Sequence, residues 1–198
     1  GFASDPAFQE AGSQRPLFDF RDVFYDGNSQ GGILGGAVIA ASKDVHRGVL
    51  GSPGMNYANL LTRSTDFDQY AGPLYLSYQD PLDRQLLFAM IPMLWDRSEN
   101  DGYAAHLTDN SALGGDPKVV KVDPQFGDHQ VTMYSAANMA RTMGIPYDAR
   151  QTVRIAARPG IDGTARNAAI EGVRYGLQPL DSATAPADGG GMILWDDP

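Results

Sequence analysis

A serine stands between two glycines in Gly27-Asn28-Ser29-Gln30-Gly31, and this pattern can serve nucleophilic catalysis. Aromatic and β-branched residues at 22–27 predict a strand before it, and small and apolar residues at 29–44 predict a helix after it. On such a turn the serine Oγ is exposed, and the close approach of chain and helix leaves room only for glycine two residues before and two after. The same five residues also suit an ordinary glycine-rich turn.

The position of Ser29 would also supply charge stabilisation. A helix N-terminus carries partial positive charge, which favours a developing oxyanion. The backbone N–H of Gln30 would be one donor to that oxyanion. The doubled glycines of GGILGG lack the Gly-Lys-Ser/Thr of a phosphate-binding loop. We therefore interpret them as positions of close packing under a sheet.

A strand, a loop and a helix are predicted in the second half of the chain. Residues 117–131, PKVVKVDPQFGDHQV, predict a strand and then a loop that contains Asp128. Residues 132–145 predict a helix that a glycine stops. Asp128 thus lies in a loop between a predicted strand and a predicted helix.

The chain has three histidines, so each can be weighed as the catalytic base. His46 starts a predicted strand at 46–54 and comes too early in the chain order for the catalytic base. His106 is interpreted as a polar residue at the tip of a helical segment. His129 could form an alternative triad with Asp96. However, His129 adjoins Asp128 on one loop, and adjacent side chains rarely hold the acid-to-imidazole geometry of a triad.

The amino-acid composition limits the classes of protein and of site that are possible. The 198 residues suffice for one α/β domain, and 42% hydrophobic with 20% charged residues is ordinary for a globular protein. A net charge of −9 with scattered Lys and Arg argues against binding to nucleic acid or to an anionic membrane. The absence of Cys excludes disulfides, zinc–thiolate sites and cysteine nucleophiles. No apolar run approaches the roughly 20 residues that span a bilayer.

Neither a metal nor another cofactor is predicted. No two histidines stand at the spacing of metal ligands. Residues 96–102, DRSENDG, resemble a calcium loop, but the glycine comes one place late and the closing Glu is missing.

The segment at 55–107 is predicted to be largely helical. Its clearest helix lies at 80–99, with Asp80 as a cap, Pro81 in the first turn and a kink at Pro92. One face of this helix is apolar: Leu82, Leu86, Leu87, Met90, Ile91 and Leu94. Aromatic residues are also frequent, and they indicate either packing between helices or an apolar substrate pocket above Ser29: Tyr57, Phe67, Tyr70, Tyr75 and Tyr78.

Strands that alternate with helices predict an α/β fold with a largely parallel sheet. An irregular region at 146–191 leads to a last strand at 191–197. Asp128 and Val131 match the D-x-x-V part of the acid loop of α/β-hydrolases, although the loop's glycine lies directly before the acid. More narrowly, LWDRSENDGYAAHLTDN and FGDHQVT…ARTMGI resemble a group of large bacterial secreted or envelope α/β-hydrolases. The resemblance covers residues 22–145 and, weakly, 191–197.

This resemblance implies a serine hydrolase that acts on esters, with Ser29 as nucleophile and Asp128 as acid. Amide or peptide hydrolysis would use the same residues. The family's fold places the histidine after the final strand, so we expect the base to lie outside this chain. A non-catalytic, hydrolase-like subunit that acts in binding or assembly is the alternative, and the missing histidine supports it.

The resemblance also implies how the chain is organised. We expect the C-terminal part of one α/β-hydrolase domain, with the nucleophile turn and its flanking strands at 22–54, a helical cap-like segment at 55–112, and the acid strand, loop and helix at 117–145. The remainder, 146–198, holds the irregular region and the last strand. A companion chain, or the rest of a longer polypeptide, would complete the sheet. A secreted or envelope location is implied by the family alone.

Overall fold

Strands and helices alternate around the serine as the sequence predicts. The computed structural model describes residues 4–19, 21–108, 113, 115–125 and 127–144, together with the backbone of 147–148, 173–174 and 191–193. β1 (Val23–Asn28) leads through Ser29 into α1 (Gln30–Ala41), and β2 (Val45–Gly51) follows. The predicted strand, helix and strand are therefore confirmed to within a few residues.

The segment after β2 consists of short helices, also as predicted. They are α2 (Tyr57–Leu61), α3 (Asp68–Ser77), α4 (Pro81–Met90), α5 (Pro92–Trp95) and α6 (Ala104–Leu107). The later elements are β3 (Val119–Asp123), α7 (Met133–Met143), β4 (Tyr147–Asp148), β5 (Val173–Arg174) and β6 (Gly191–Ile193). The predicted end of the last strand, 194–197, and most of the region at 146–191 lie outside the described residues.

The strands form one parallel sheet in the order β1-β2-β3-β6-β4-β5. Asn28 is level with Gly51, and Gly51 is level with Asp123, so β1, β2 and β3 end at the same edge of the sheet. The loops that carry Ser29 and Asp128 both leave from this edge. The α/β class with a parallel sheet is thereby confirmed.

A hydrophobic core lies between the sheet and α1, α6 and α7. Its fully buried side chains come from α1, β2, α6, β3 and α7: Ile39, Leu50, Ala104, Leu107, Val120, Val122, Ala136 and Met139. The mostly apolar α1 therefore packs closely on β1 and β2. A Cβ on Gly32 would overlap the backbone oxygen of Gly51, and a Cβ on Gly35 would lie 2.5 Å from the Tyr25 ring.

One buried amide joins the helical segment to α1. Asn100 is fully buried, and its Oδ1 accepts from Gly36 N at 2.7 Å while its Nδ2 donates to Gly32 O at 2.8 Å. The Asn100 side chain thus lies between Gly36 N and Gly32 O, which would form a hydrogen bond with each other in a regular helix. Asn100 Nδ2 also lies 3.2 Å from Gly54 O, and Asn100 N donates to Ile33 O. The loop before α6 is therefore fixed to α1.

The predicted helix at 80–99 divides into two. Asp80 accepts from Leu82 N at 2.8 Å and Pro81 occupies the first turn, as expected, and the break falls directly before Pro92. Its apolar face does not enter the core. Within the described structure, four of its side chains are more than half exposed: Leu82, Leu86, Met90 and Leu94. Phe88, outside the predicted face, is the buried residue of α4.

The two glycines at the start of α1 provide a matched pair of substitutions. Gly32→Ala should lower the free energy of unfolding by about 1–3 kcal/mol, because the new methyl group would overlap backbone atoms of Gly51. Gly31→Ala should be neutral or stabilising by up to about 1 kcal/mol, because the nearest atom would lie 3.7 Å away and alanine favours a helix. Urea unfolding of both variants measures the difference, and equal effects would contradict the described packing of α1.

Candidate functional site

Ser29 occupies a strained turn at the carboxyl end of β1. Its backbone has φ 55° and ψ −117°, outside the regions that a non-glycine residue favours. Ser29 N donates to Gly51 O at 2.9 Å, and Ser29 O accepts from Ile33 N at 2.9 Å. The side chain is exposed and makes no capping hydrogen bond to α1. The backbone is therefore held firmly while Oγ faces solvent.

The glycine two residues before Ser29 is required by close contact, and the one two residues after it is not. A Cβ on Gly27 would lie 2.6 Å from Gly31 O and from the Tyr25 ring. A Cβ on Gly31 would meet only Tyr25 Oη, at 3.7 Å. The expectation that both positions admit glycine alone is therefore wrong for Gly31. Tyr25 Oη donates to Gly31 O at 2.7 Å and fixes the first turn of α1 from below.

Gln30 begins α1 and has both a backbone and a side-chain role. The first N–H groups of a helix have no partner within the helix, so Gln30 N–H is available to an incoming oxygen. Its side-chain Oε1 accepts from Tyr57 Oη at 2.9 Å. This hydrogen bond connects the start of α1 to the start of α2.

Asp128 lies in the loop after β3, at the same edge of the sheet as Ser29. Its Oδ1 accepts from Gln130 N at 2.8 Å and from Val131 N at 2.9 Å, which orients the carboxylate. The loop is fixed to the helical segment, because Gln130 Nε2 donates to Asp66 Oδ1 and Thr65 N donates to His129 O. The carboxyl group is half-buried and positioned by backbone donors.

Two of the three histidines lie apart from this arrangement. His46 is exposed at the amino end of β2, the edge of the sheet opposite to Ser29. His106 is in α6, whose Leu107 O accepts from Lys118 N near the amino end of β3. His129 is exposed beside Asp128. In the part of the chain that the structure describes, no hydrogen bond or ion pair joins a histidine side chain to Ser29, Asp96 or Asp128.

A cavity of about 230 Å³ adjoins Gln30. It is lined by residues from α1, α2, the end of α5 and the stretch after α5: Gln30, Leu34, Tyr57, Trp95, Ser98 and Glu99. The Tyr57 and Trp95 rings meet edge to face, with centroids 4.7 Å apart. Of the five aromatic residues considered for a pocket, Tyr57 alone lines this cavity. Phe67 packs in a separate cluster with Tyr70 and Phe88.

Glu99 places a buried carboxyl group in the wall of this cavity. It is 1% exposed, and both of its oxygens accept from Tyr57 N, at 2.8 and 3.0 Å. Burial raises the pKa of Glu99 to about 7, since the Tyr57 N–H only partly offsets the lost hydration and Asp101 and Asp96 add negative charge. Burial, followed by the charge of Asp101, also raises the pKa of Asp96.

Sequence reasoning missed Glu99 and Asn100 as structural and site residues. Both belong to DRSENDG, whose pattern gives Glu99 and Asn100 no role beyond that of a rejected calcium loop. The sequence signal for them is weak, because they are two polar residues in the polar stretch between α5 and α6. Across the described ranges, no three His, Asp or Glu side chains gather so as to hold a metal ion. In the same ranges, no helix combines the length and apolarity needed to cross a bilayer.

The raised pKa of Glu99 predicts a pH-dependent stability. The folded protein keeps the carboxyl proton up to about pH 7, whereas the unfolded chain releases it near 4.5, so this group lowers stability as pH rises between these values. Glu99→Gln keeps an acceptor for Tyr57 N but cannot ionise. Its free energy of unfolding should therefore rise relative to the wild type by on the order of 1–2 kcal/mol between pH 4.5 and 7.

Urea unfolding at a series of pH values measures this difference. Asp44→Asn removes an exposed carboxylate and is the matched control, for which no comparable change with pH is expected. A difference between wild type and Glu99→Gln that stays constant with pH would contradict the assignment.

Comparison with known proteins provides no relative from which a function could be transferred. No protein-family model matches the chain, and neither does a curated protein sequence or a solved structure. The chemistry that this chain could perform is therefore inferred from Ser29, Asp128 and the cavity beside Gln30.

Proposed function

We propose that the protein is a serine hydrolase that cleaves esters, with Ser29 as nucleophile. The observation that carries this proposal is the strained conformation of Ser29 between β1 and α1, with an exposed hydroxyl group at a helix N-terminus that makes no capping hydrogen bond. Strain at a non-glycine residue persists only where the surrounding structure enforces it, and such positions cluster at functional sites. Two non-glycine residues have positive φ in the described structure, Ser29 and Ser52, and of these only Ser29 exposes its side chain.

The chemistry follows the usual course of acyl transfer. Ser29 Oγ attacks the acyl carbonyl carbon while a histidine accepts the hydroxyl proton, and the carbonyl oxygen becomes an oxyanion. The Gln30 N–H donates to that oxyanion; loss of one such donor typically costs ~10²–10³ in rate. The histidine then protonates the leaving alcohol, and water releases the acyl group by the same steps. Amide or peptide bonds could be cleaved by the same residues.

Asp128 would orient the histidine. It follows Ser29 in the chain, as the acid does in α/β-hydrolases, and its loop leaves from the same sheet edge as Ser29. Two backbone donors hold Oδ1 and so fix the carboxylate without neutralising it. A histidine placed between the two loops could contact both residues. An α/β-hydrolase fold is part of this proposal, and the parallel arrangement β1-β2-β3-β6 supports it.

The histidine itself would come from additional polypeptide, on the same or a companion chain. His46 and His106 lie towards the amino ends of the strands, and within the described residues no hydrogen bond joins the His129 side chain to Ser29. The same observation favours a second candidate function. A hydrolase-like subunit without a base would bind or assemble rather than catalyse.

Labelling with a fluorophosphonate, followed by mapping of the labelled peptide, tests the proposal. The complete protein, with any companion chain, should react at Ser29, and Ser29→Ala should abolish the label. Asp128→Asn should slow labelling by about a hundred-fold or more, because the histidine loses its orienting charge. Asp68→Asn, at an exposed position in α3, is the control and should label at the wild-type rate.

His129→Ala separates the possible bases. We expect this variant to label at the wild-type rate, whereas loss of labelling would identify His129 as the base. A folded, complete assembly that never labels at Ser29 would exclude the hydrolase and leave the binding subunit.

We also propose that additional polypeptide pairs with β1. In the described sheet β1 pairs only with β2, and Val23 and Phe24 are 43% and 64% exposed. An open strand edge with apolar side chains favours association. The isolated chain should therefore self-associate in light scattering. Phe24→Lys should reduce this association, whereas Phe18→Lys, outside the sheet and 61% exposed, should not. A monodisperse, fully folded 21.3 kDa monomer would contradict the proposal.

A further inference from the structure

The cavity beside Gln30 is small and contains one chemically distinctive group. Ligand pockets that enclose a drug-sized molecule measure roughly 300–1,000 Å³. At about 230 Å³, this cavity could enclose only one end of a substrate. Gln30 directly follows Ser29, so a substrate held at Ser29 could extend this end into the cavity. The lining therefore determines which end group is accepted.

Among the described residues that line the cavity, Glu99 is the charged one. Glu99 lines it, and Asp96 and Asp101 lie close enough to Glu99 to act on its titration. Each oxygen of a carboxylate can accept more than one hydrogen bond, but within the described residues Tyr57 N is the only donor to Glu99. Over the same residues, no Lys or Arg forms an ion pair with these three acids. Asp96 Oδ1 is also buried without a hydrogen-bond partner there.

The remaining lining suits a cation as well. Tyr57 and Trp95 contribute aromatic rings, whose faces attract ammonium groups. Leu34 can pack against the methylene groups next to such a charge. Gln30 and Ser98 add polar groups at the cavity wall. A carboxylate combined with aromatic rings is therefore matched to an alkylammonium end group.

We propose that this cavity is a binding subsite for a positively charged amine, and that the substrate carries an alkylammonium group which Glu99 contacts. This inference rests on the proposed function for its reference to a substrate. An ammonium group would donate hydrogen bonds to Glu99 and neutralise its buried charge. Glu99 is then the specificity-determining residue, and Tyr57 and Trp95 enclose the methylene chain.

Isothermal titration of the complete protein with butylammonium tests the subsite directly. At about pH 8, Glu99 is largely ionised. Butylammonium should bind saturably, and butan-1-ol, of similar size but without charge, should bind roughly ten-fold more weakly or not at all. Glu99→Gln should weaken butylammonium binding by roughly ten-fold or more, because it removes the charge but keeps the acceptor for Tyr57 N.

Two further variants test the effect of net charge and the contribution of the aromatic ring. Asp44→Asn lowers the net negative charge equally at an exposed position and should bind butylammonium as the wild type does. Trp95→Leu should weaken binding a few-fold through loss of the aromatic face. Circular dichroism checks that each variant is folded. If Glu99→Gln does not fold, Trp95→Leu and the butanol comparison still decide the question.

Substrate preference gives the second readout. The para-nitrophenyl esters of aminohexanoic and heptanoic acid differ mainly by an ammonium in place of a methyl group. The wild type should favour the amino ester in kcat/KM by roughly ten-fold, and Glu99→Gln should remove this preference.

The outcomes separate the two proposals. Equal binding of butylammonium and butan-1-ol, or unchanged butylammonium binding in Glu99→Gln, overturns the inference even if Ser29 labels with fluorophosphonate. Saturable, Glu99-dependent binding without any Ser29 label leaves a cation site but removes its role in substrate selection, because the hydrolase itself has then failed.

Discussion

The hydrogen bonds of Asn100 are the interaction on which the arrangement of the site depends. This amide lies inside α1, between Gly36 N and Gly32 O, and it also reaches Gly54 after β2. Without it, buried polar groups would lack partners, at about 1–3 kcal/mol each. Because Glu99 is the preceding residue, the same contacts direct its carboxyl group to Tyr57 and into the cavity. The helical segment and the serine turn are thus fixed to a common helix.

A second set of contacts maintains the strain at Ser29. The Ser29 N–H is held by Gly51 on β2, and the following turn of α1 is held by Tyr25 on β1. Gly27 allows the chain to pass close to Gly31 O. The serine conformation is therefore determined by two strands and one helix together. This explains how an unfavourable backbone geometry persists at Ser29, whose side chain is exposed.

Much of the fold was predictable because local chemistry determines it. The alternation of apolar runs and glycines located β1, α1, β2, β3 and α7, and Asp80 and Pro81 identified the start of α4. The parallel sheet edge then placed Ser29 and Asp128 on the same side. The features that the sequence did not predict depend on tertiary contacts, which local patterns do not encode. The apolar face of α4 lies at the surface, Gly31 has room for a methyl group, and Glu99 acquires its properties only from burial against Tyr57.

The glycines of α1 also bear on when the site forms during folding. Each glycine in a helix interior costs up to about 1 kcal/mol relative to alanine, and α1 contains four among its twelve residues. Such a segment has little tendency to become helical before β1 and β2 are paired beneath it. Its amide hydrogens should then exchange with solvent only through cooperative opening of the sheet. The strained serine and the first turn of its helix would be acquired in one step, so a partly folded chain has no partial site.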